Sequence, residues 1–129
     1  MKIAALIARY LLGLMFVIFG LNGFLHFLPM QMPTGLAGQY MTVMMESHYL
    51  PFVYLVQLVG GVLLLANFFV PLALVLLGPV IVNILLFHVT MQPDGLPPGL
   101  LATVLWLLVF YSVRYAFAGI FTARAPIQK

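Results

Sequence analysis

The chain has 129 residues, of which 65% are hydrophobic and 5% charged, where ordinary soluble domains carry about a quarter charged residues. That balance marks an integral membrane protein and leaves no room for a soluble enzyme built on a nucleophile–base set, a phosphate loop or a nucleotide motif. The absence of cysteine excludes disulfides, thiol relays and Cys-ligated metals, and five basic residues against two acidic ones are too few and scattered for a nucleic-acid surface.

The run from Ile3 to about Leu28 is longer than a signal-peptide core of about 7–15 residues and is predicted as a first, retained span, 3–28. Its polar residues, Arg9 near one end and Asn22 and His26 near the other, should face protein rather than lipid. Turned at roughly 100° per residue, Gly13, Gly20 and Gly23, with Phe16 and Phe27, recur near the direction of Arg9 and form a close-packing seam. Asn22 and His26 share a different face, so this helix has two buried sides and several partners. Pro29 and Pro33 close the span, and Thr34 to Tyr49 is predicted as a short interfacial helix or re-entrant cap.

Pro51 sits in the first turn of a second span, 50–69, and Asn67 to Pro71 allow only a tight hairpin into a third, 71–90. That third span contains Gly78-Pro79, which removes one backbone donor and bends the helix, and Asn83 and His88 follow the break. The turn Met91 to Gly99 is crowded with Pro and Gly, and a fourth span, 98–121, carries Trp106 and Arg114. The predicted fold is therefore all-α: one transmembrane domain, 1–129, forming an integral membrane four-helix bundle.

Alternating the spans puts Lys2, Arg9, Arg114, Arg124 and Lys129 on the side of the two termini and Glu46 and Asp94 on the other. The positive-inside bias then predicts both termini in the cytoplasm. Arg9, Asn67 and Arg114 fall in the cytoplasmic layer, and Asn22, His26, Gln57, Asn83 and His88 in the outer one. Asn22-x3-His26 before Met30-Gln31 weakly echoes Asn83-x4-His88 before Met91-Gln92, the pattern two hairpins related by an axis along the membrane normal would leave.

The opening ARYLLGLMFVIFGLNGF and the stretch QLVGGVLLLANFFVPLALVLLGPVIVNILLFH, with the four-span length, resemble the DoxX-like family of small bacterial membrane proteins over nearly the whole chain. Arg9, Gly13 and Gly20 match the family's helix 1 arginine and its Gly-Leu repeat, and Gly60 and Gly61 match its glycine pair. Where the family often carries a glutamate shortly before that pair, this chain has Gln57, which removes a charge and with it a proton or cation role there. The resemblance implies a bacterial inner-membrane location. It also implies an accessory subunit of a redox complex, since the family takes its name from a membrane subunit of a thiosulfate:quinone oxidoreductase, while distant relatives include assembly factors and cargo receptors.

The polar residues admit competing readings. Arg9 and Arg114 bind an anionic lipid headgroup or snorkel to the interface. Gln57 and the two asparagines orient a carbonyl-bearing ligand or bridge helices. His26 and His88 hydrogen-bond a quinone, ligate a b-type haem as an axial pair, or satisfy polar groups at helix ends. Of these cofactors quinone is favoured over haem, and His48 with Glu46 lacks the tight spacing of a metal site. The leading expectation is a quinone or lipid-like ligand in a pocket between the first and third spans, with a redox partner or a second copy of the chain. The alternatives are a non-enzymatic scaffold binding partner helices, a haem carrier, or a small transporter; proton-coupled export would need an acidic residue that the first span lacks.

Overall fold

The computed structural model describes residues 2–127, and every regular element among them is helical. Lys129, one of the five residues of the charge argument, lies outside the described residues. Five α-helices follow one another: α1 (Lys2–Leu25), α2 (Gly35–Glu46), α3 (Leu50–Ala66), α4 (Val70–Thr90) and α5 (Leu96–Ser112), with short 3-10 turns at Pro93–Gly95 and Arg114–Phe117. Proline in the first turn opens α3, α4 and α5, where its missing N–H has no intrahelical acceptor to lose.

Helix ends differ from the sequence expectation where backbone geometry intervenes. α1 stops at Leu25 rather than 28 because His26 takes a left-handed conformation (φ 53°) and returns its N–H to the Asn22 carbonyl at 2.8 Å, a one-bond left-handed cap. Phe27 therefore lies beyond the helix and outside the glycine seam. α3 stops at Ala66 rather than 69, since Asn67 is left-handed (φ 54°) and the N–H groups of Asn67 and Phe68 return to the carbonyls of Leu64 and Leu63. α5 begins at Leu96 and ends at Ser112, well short of 121. Ser112 Oγ donates to the Val109 carbonyl and Arg114 Nη1 to that of Tyr111, both at 2.6 Å, so side chains occupy the last carbonyls and the chain tightens into a 3-10 turn.

α1 packs against α3 and α5, and α4 packs against the same two, so the four long helices close a ring. Neighbours run antiparallel: going along α1, Arg9 meets Leu64, Gly13 meets Gly61, and Gly20 meets Leu58 and Tyr54 of α3. The tightest core, which includes Leu12, Leu64, Leu74, Leu77 and Val109, lies in the half of the ring nearest the termini. Outward faces are apolar, as with Leu14, Ile18, Leu55, Val62, Leu86 and Leu107, which is unlike a soluble surface. Three stretches, Lys2–Leu25, Val70–Thr90 and Pro93–Ser112, are long and apolar enough to cross a membrane. A fourth arises if α2 and α3, bent by 85° at their junction, are taken together.

The α1–α3 contact is close because glycine faces glycine. A Cβ on Gly61 would stand 2.9 Å from the Gly13 carbonyl oxygen and 2.8 Å from a Val17 methyl, and one on Gly13 would stand 3.0 Å from the Gly61 oxygen. Backbone cannot give way as a flexible side chain does, so Gly61→Val should cost about 1–3 kcal/mol. Thermal unfolding of the purified chain in detergent should show a clearly lowered midpoint, whereas Gly119→Ala, whose nearest neighbour would be 3.8 Å away, should melt with the wild type. A Gly61→Val variant melting at the wild-type temperature would contradict this helix contact.

Candidate functional site

A groove of 810 Å³ runs between α3 and α4 and is covered at one end by α2. Its formation follows from the packing just described. The small residues that bring α3 close to its neighbours, Gly60 against Leu77 and Gly61 against Gly13, lie toward the end of α3 nearest the termini. Beyond them α3 presents Val53, Val56 and Gln57, and α4 presents Val80, Asn83, Ile84 and Phe87, along the two walls. α2 crosses above with Tyr40, Met41 and Met44, and the Tyr40 ring packs on Phe87 with centroids 5.3 Å apart.

Three of the polar residues singled out in the sequence meet in this groove: Gln57, Asn83 and His88. Gln57 is 8% exposed, and its amide makes no hydrogen bond to another described residue; since no fully enclosed side-chain oxygen or nitrogen is left without a partner, that amide opens to the groove. Asn83 Nδ2 donates to the Pro79 carbonyl at 2.9 Å, which leaves its Oδ1 as an acceptor. His88 Nδ1 lies 3.0 Å from the Gln92 carbonyl. A carbonyl only accepts, so Nδ1 carries the proton and the neutral ring keeps Nε2 as an acceptor. Gly95 lies directly against the His88 ring, where a Cβ would collide with it, so turn and carbonyl together fix the imidazole.

Pro79 also lines the groove and has no N–H for the Val75 carbonyl one turn earlier, and Val75 is itself a wall residue. Tyr40 and Tyr49 also line the groove, while the ring of Tyr54 turns to the α1 side, against Gly23 and edge-on to Phe24 with centroids 6.1 Å apart, and the lining contains no Asp, Glu, Lys or Arg. Chemically the groove offers amide, phenol and imidazole hydrogen bonding along apolar walls, with no formal charge. Sequence reasoning passed over the tyrosines, although a tyrosine inside an apolar span, as Tyr54 is in α3, carries a polar handle that needs a partner.

Asn22 and His26 are elsewhere, and the pocket expected between the first and third spans, α1 and α4, is instead between α3 and α4. The reason is the way α1 ends. Asn22 Oδ1 accepts the Leu28 N–H at 2.7 Å and its Nδ2 lies 3.5 Å from the Met30 sulfur, so the side chain ties down the chain leaving the helix. His26 supplies the left-handed cap and is exposed. His26 and His88 thus do not share the groove, and the axial pair a haem would need is not assembled in it. His48 is likewise left-handed, at φ 61°, just past α2, and no group of three or more His, Cys, Asp or Glu among the described residues is placed to hold a metal ion. The echo between Asn22 and Asn83 stops at sequence: α1 and α4 run parallel, yet the two asparagines make unlike bonds.

At the opposite end, Arg9 is 9% exposed and donates from Nη1 to the Leu64 carbonyl. Arg114 is exposed and folds back on its own turn, its guanidinium 4.0 Å from the Tyr111 ring centre. Of the glycines read as packing residues, Gly13, Gly20 and Gly23 all face α3, Gly61 faces α1 and Gly60 faces α4. No known family model, no curated protein and no solved structure matches the chain. The structure defines a class, an all-helical chain with three or four apolar helices able to cross a membrane.

If His26 serves the backbone, glycine should serve better, because a left-handed conformation costs a β-carbon-bearing residue of order 1 kcal/mol. His26→Gly should melt at or above the wild-type temperature and His26→Val below it. The reverse order in a thermal melt would show that the imidazole itself is needed.

Proposed function

We propose that the chain is an integral membrane four-helix bundle of the bacterial inner membrane, with both termini cytoplasmic. In this reading it binds a quinone or similar neutral, lipid-like molecule in the α3–α4 groove as an accessory subunit of a quinone-linked redox system, not as an enzyme by itself. α1, α3, α4 and α5 are the four spans, and α2, turned 85° from α3, lies along the outer interface. The apolar outer faces support membrane burial, and the five-to-none distribution of basic residues supports the orientation. The resemblance to DoxX-like proteins supports the redox association.

One observation carries the ligand: a nearly buried amide, Gln57, with no hydrogen-bond partner among the described residues, opening into an apolar groove. A polar group withdrawn from water without a hydrogen bond costs about 1–3 kcal/mol, and a carbonyl or hydroxyl on an apolar guest offsets that cost. A quinone head meets the donors of Gln57 and of Tyr40 or Tyr49, while its hydrocarbon lies along Val53, Val56 and Val80.

The wild-type chain, purified and extracted with organic solvent, should release a quinone or neutral lipid identifiable by mass spectrometry. Gln57→Leu and His88→Phe should retain about tenfold less, the loss of one or two good hydrogen bonds, and His26→Gly should retain the wild-type amount. Stripped of ligand, Gln57→Leu should also melt no lower than the equally stripped wild type, because it removes an unpaired polar group. Equal retention by all the variants, or a wild type that carries nothing, would defeat the binding reading and leave the scaffold that joins partner helices. For orientation, reporters fused at residues 2 and 127 should both read cytoplasm, and a periplasmic signal from either would reverse it.

A further inference from the structure

At the end of the bundle away from the groove lies a second cavity, 250 Å³, whose lining includes Lys2, Arg9, Asn67 and Ser112. We propose that it is a binding site for a phosphate-type anion, carried either by a phospholipid headgroup or by a free phosphate. The proposal goes beyond the groove reading and does not rest on it.

Arg9 is the central observation. Its side chain is nine-tenths buried and has a single hydrogen-bond acceptor among the described residues, the Leu64 carbonyl, with the Tyr10 ring 4.6 Å from the guanidinium carbon. A guanidinium carries five N–H groups, so most of its donors remain. No fully enclosed side-chain nitrogen lacks a partner, so those N–H groups reach the cavity. A buried cation is costly unless an opposite charge neutralises it, and the described residues supply none here. No acidic residue lines the cavity, and Glu46 at the end of α2 and Asp94 in the turn before α5 sit at the far end of the bundle.

Lys2 brings a second positive charge to the same space, about two turns from Arg9 on the same helix face, and is exposed. Asn67 adds an amide, and its left-handed backbone holds it at the rim where α3 turns into α4. Ser112 is not a donor here, because its hydroxyl proton goes to the Val109 carbonyl. Two cations and an amide around one small volume suit a phosphate, whose oxygens accept several charge-assisted hydrogen bonds. Arg114, although one residue from the lining residue Val113, does not line the cavity and folds back on Tyr111.

The test is thermal unfolding of the purified full chain in a nonionic detergent, titrated separately with phosphatidylglycerol, with phosphatidylcholine of the same chains, and with inorganic phosphate. A ligand held by the native state raises the midpoint in proportion to its affinity. Phosphatidylglycerol should raise it in the wild type, with an apparent affinity about tenfold above that of phosphatidylcholine. Lys2→Gln, a change at an exposed position that leaves the fold intact, should weaken that affinity several-fold. Arg9→Lys, which keeps the charge and a donor for Leu64 but loses the planar fork, should weaken it as well. Should inorganic phosphate alone give the Lys2-dependent shift, the site stands and the free anion is its ligand. Equal shifts with the zwitterionic and anionic lipids and none with phosphate, or an anion response that Lys2→Gln leaves unchanged, would overturn the site.

Discussion

The approach of α1 to α3 at Gly13 and Gly61 sets the shape of everything around it. With a carbonyl oxygen of each helix only 2.9–3.0 Å from where a β-carbon on the other would stand, the two backbones approach closely, and α3 is left with little side-chain volume on that face. Arg9 then reaches across one turn further along and donates to the Leu64 carbonyl, the same carbonyl that accepts the Asn67 N–H where α3 ends. The first helix is thereby pinned to the turn between α3 and α4, and the register of three helices depends on one guanidinium and a pair of glycines. Closeness of this kind relies on packing and on bonds to the backbone, which keep their strength in lipid, where apolar side chains gain nothing from burial against each other.

The groove is the consequence on the other side. Gly60 admits Leu77 of α4 near one end of α3, while farther along Gln57, Asn83 and Phe87 are too large to let the helices close. α4 is held in place from behind by Trp106, whose indole N–H donates to the Leu74 carbonyl at 3.0 Å and whose ring lies against Gly78. That contact braces the helix next to Pro79, where one hydrogen bond is missing. α2 adds a roof through Tyr40 and Phe87.

What could be read from the chain alone was whatever depends on periodicity and on residue chemistry. The glycines of α1 announce a seam because 100° steps bring them together, and the prolines at 51 and 71 announce helix starts because only there is a missing N–H harmless. The short helix after Pro33 was legible for its amphipathic composition. Left-handed conformations at His26, His48 and Asn67 were not legible, since glycine is the residue that normally marks them. An imidazole at the end of a span looks like chemistry when its backbone is what matters. The pairing of Gln57 with Asn83 and His88 depends on which helices are adjacent, and α4 lies beside α3 and α5 rather than α1. The last span was read too long because Ala118 to Phe121 is apolar, while the bonds of Ser112 and Arg114 to nearby carbonyls are local competitors that hydrophobicity does not register.

The two cavities differ in the property that would sort amphiphiles. The groove is lined by no Lys or Arg, so an anionic head placed there would be stripped of water without receiving a fixed counter-charge, a heavy penalty in a medium of low dielectric constant. The cavity at the termini has two cations and no acid, so a neutral head there would leave Arg9 as uncompensated as an empty site does. If the groove takes a neutral head and the cavity an anion, as proposed, each would reject the other's ligand by the charge it leaves unpaired, not by shape. Because Arg9 also holds α1 to the turn between α3 and α4, an anion bound beside it would bear on the helix pair whose spacing defines the groove. Occupancy at one end would then stiffen the walls at the other through the α3–α4 hairpin they share.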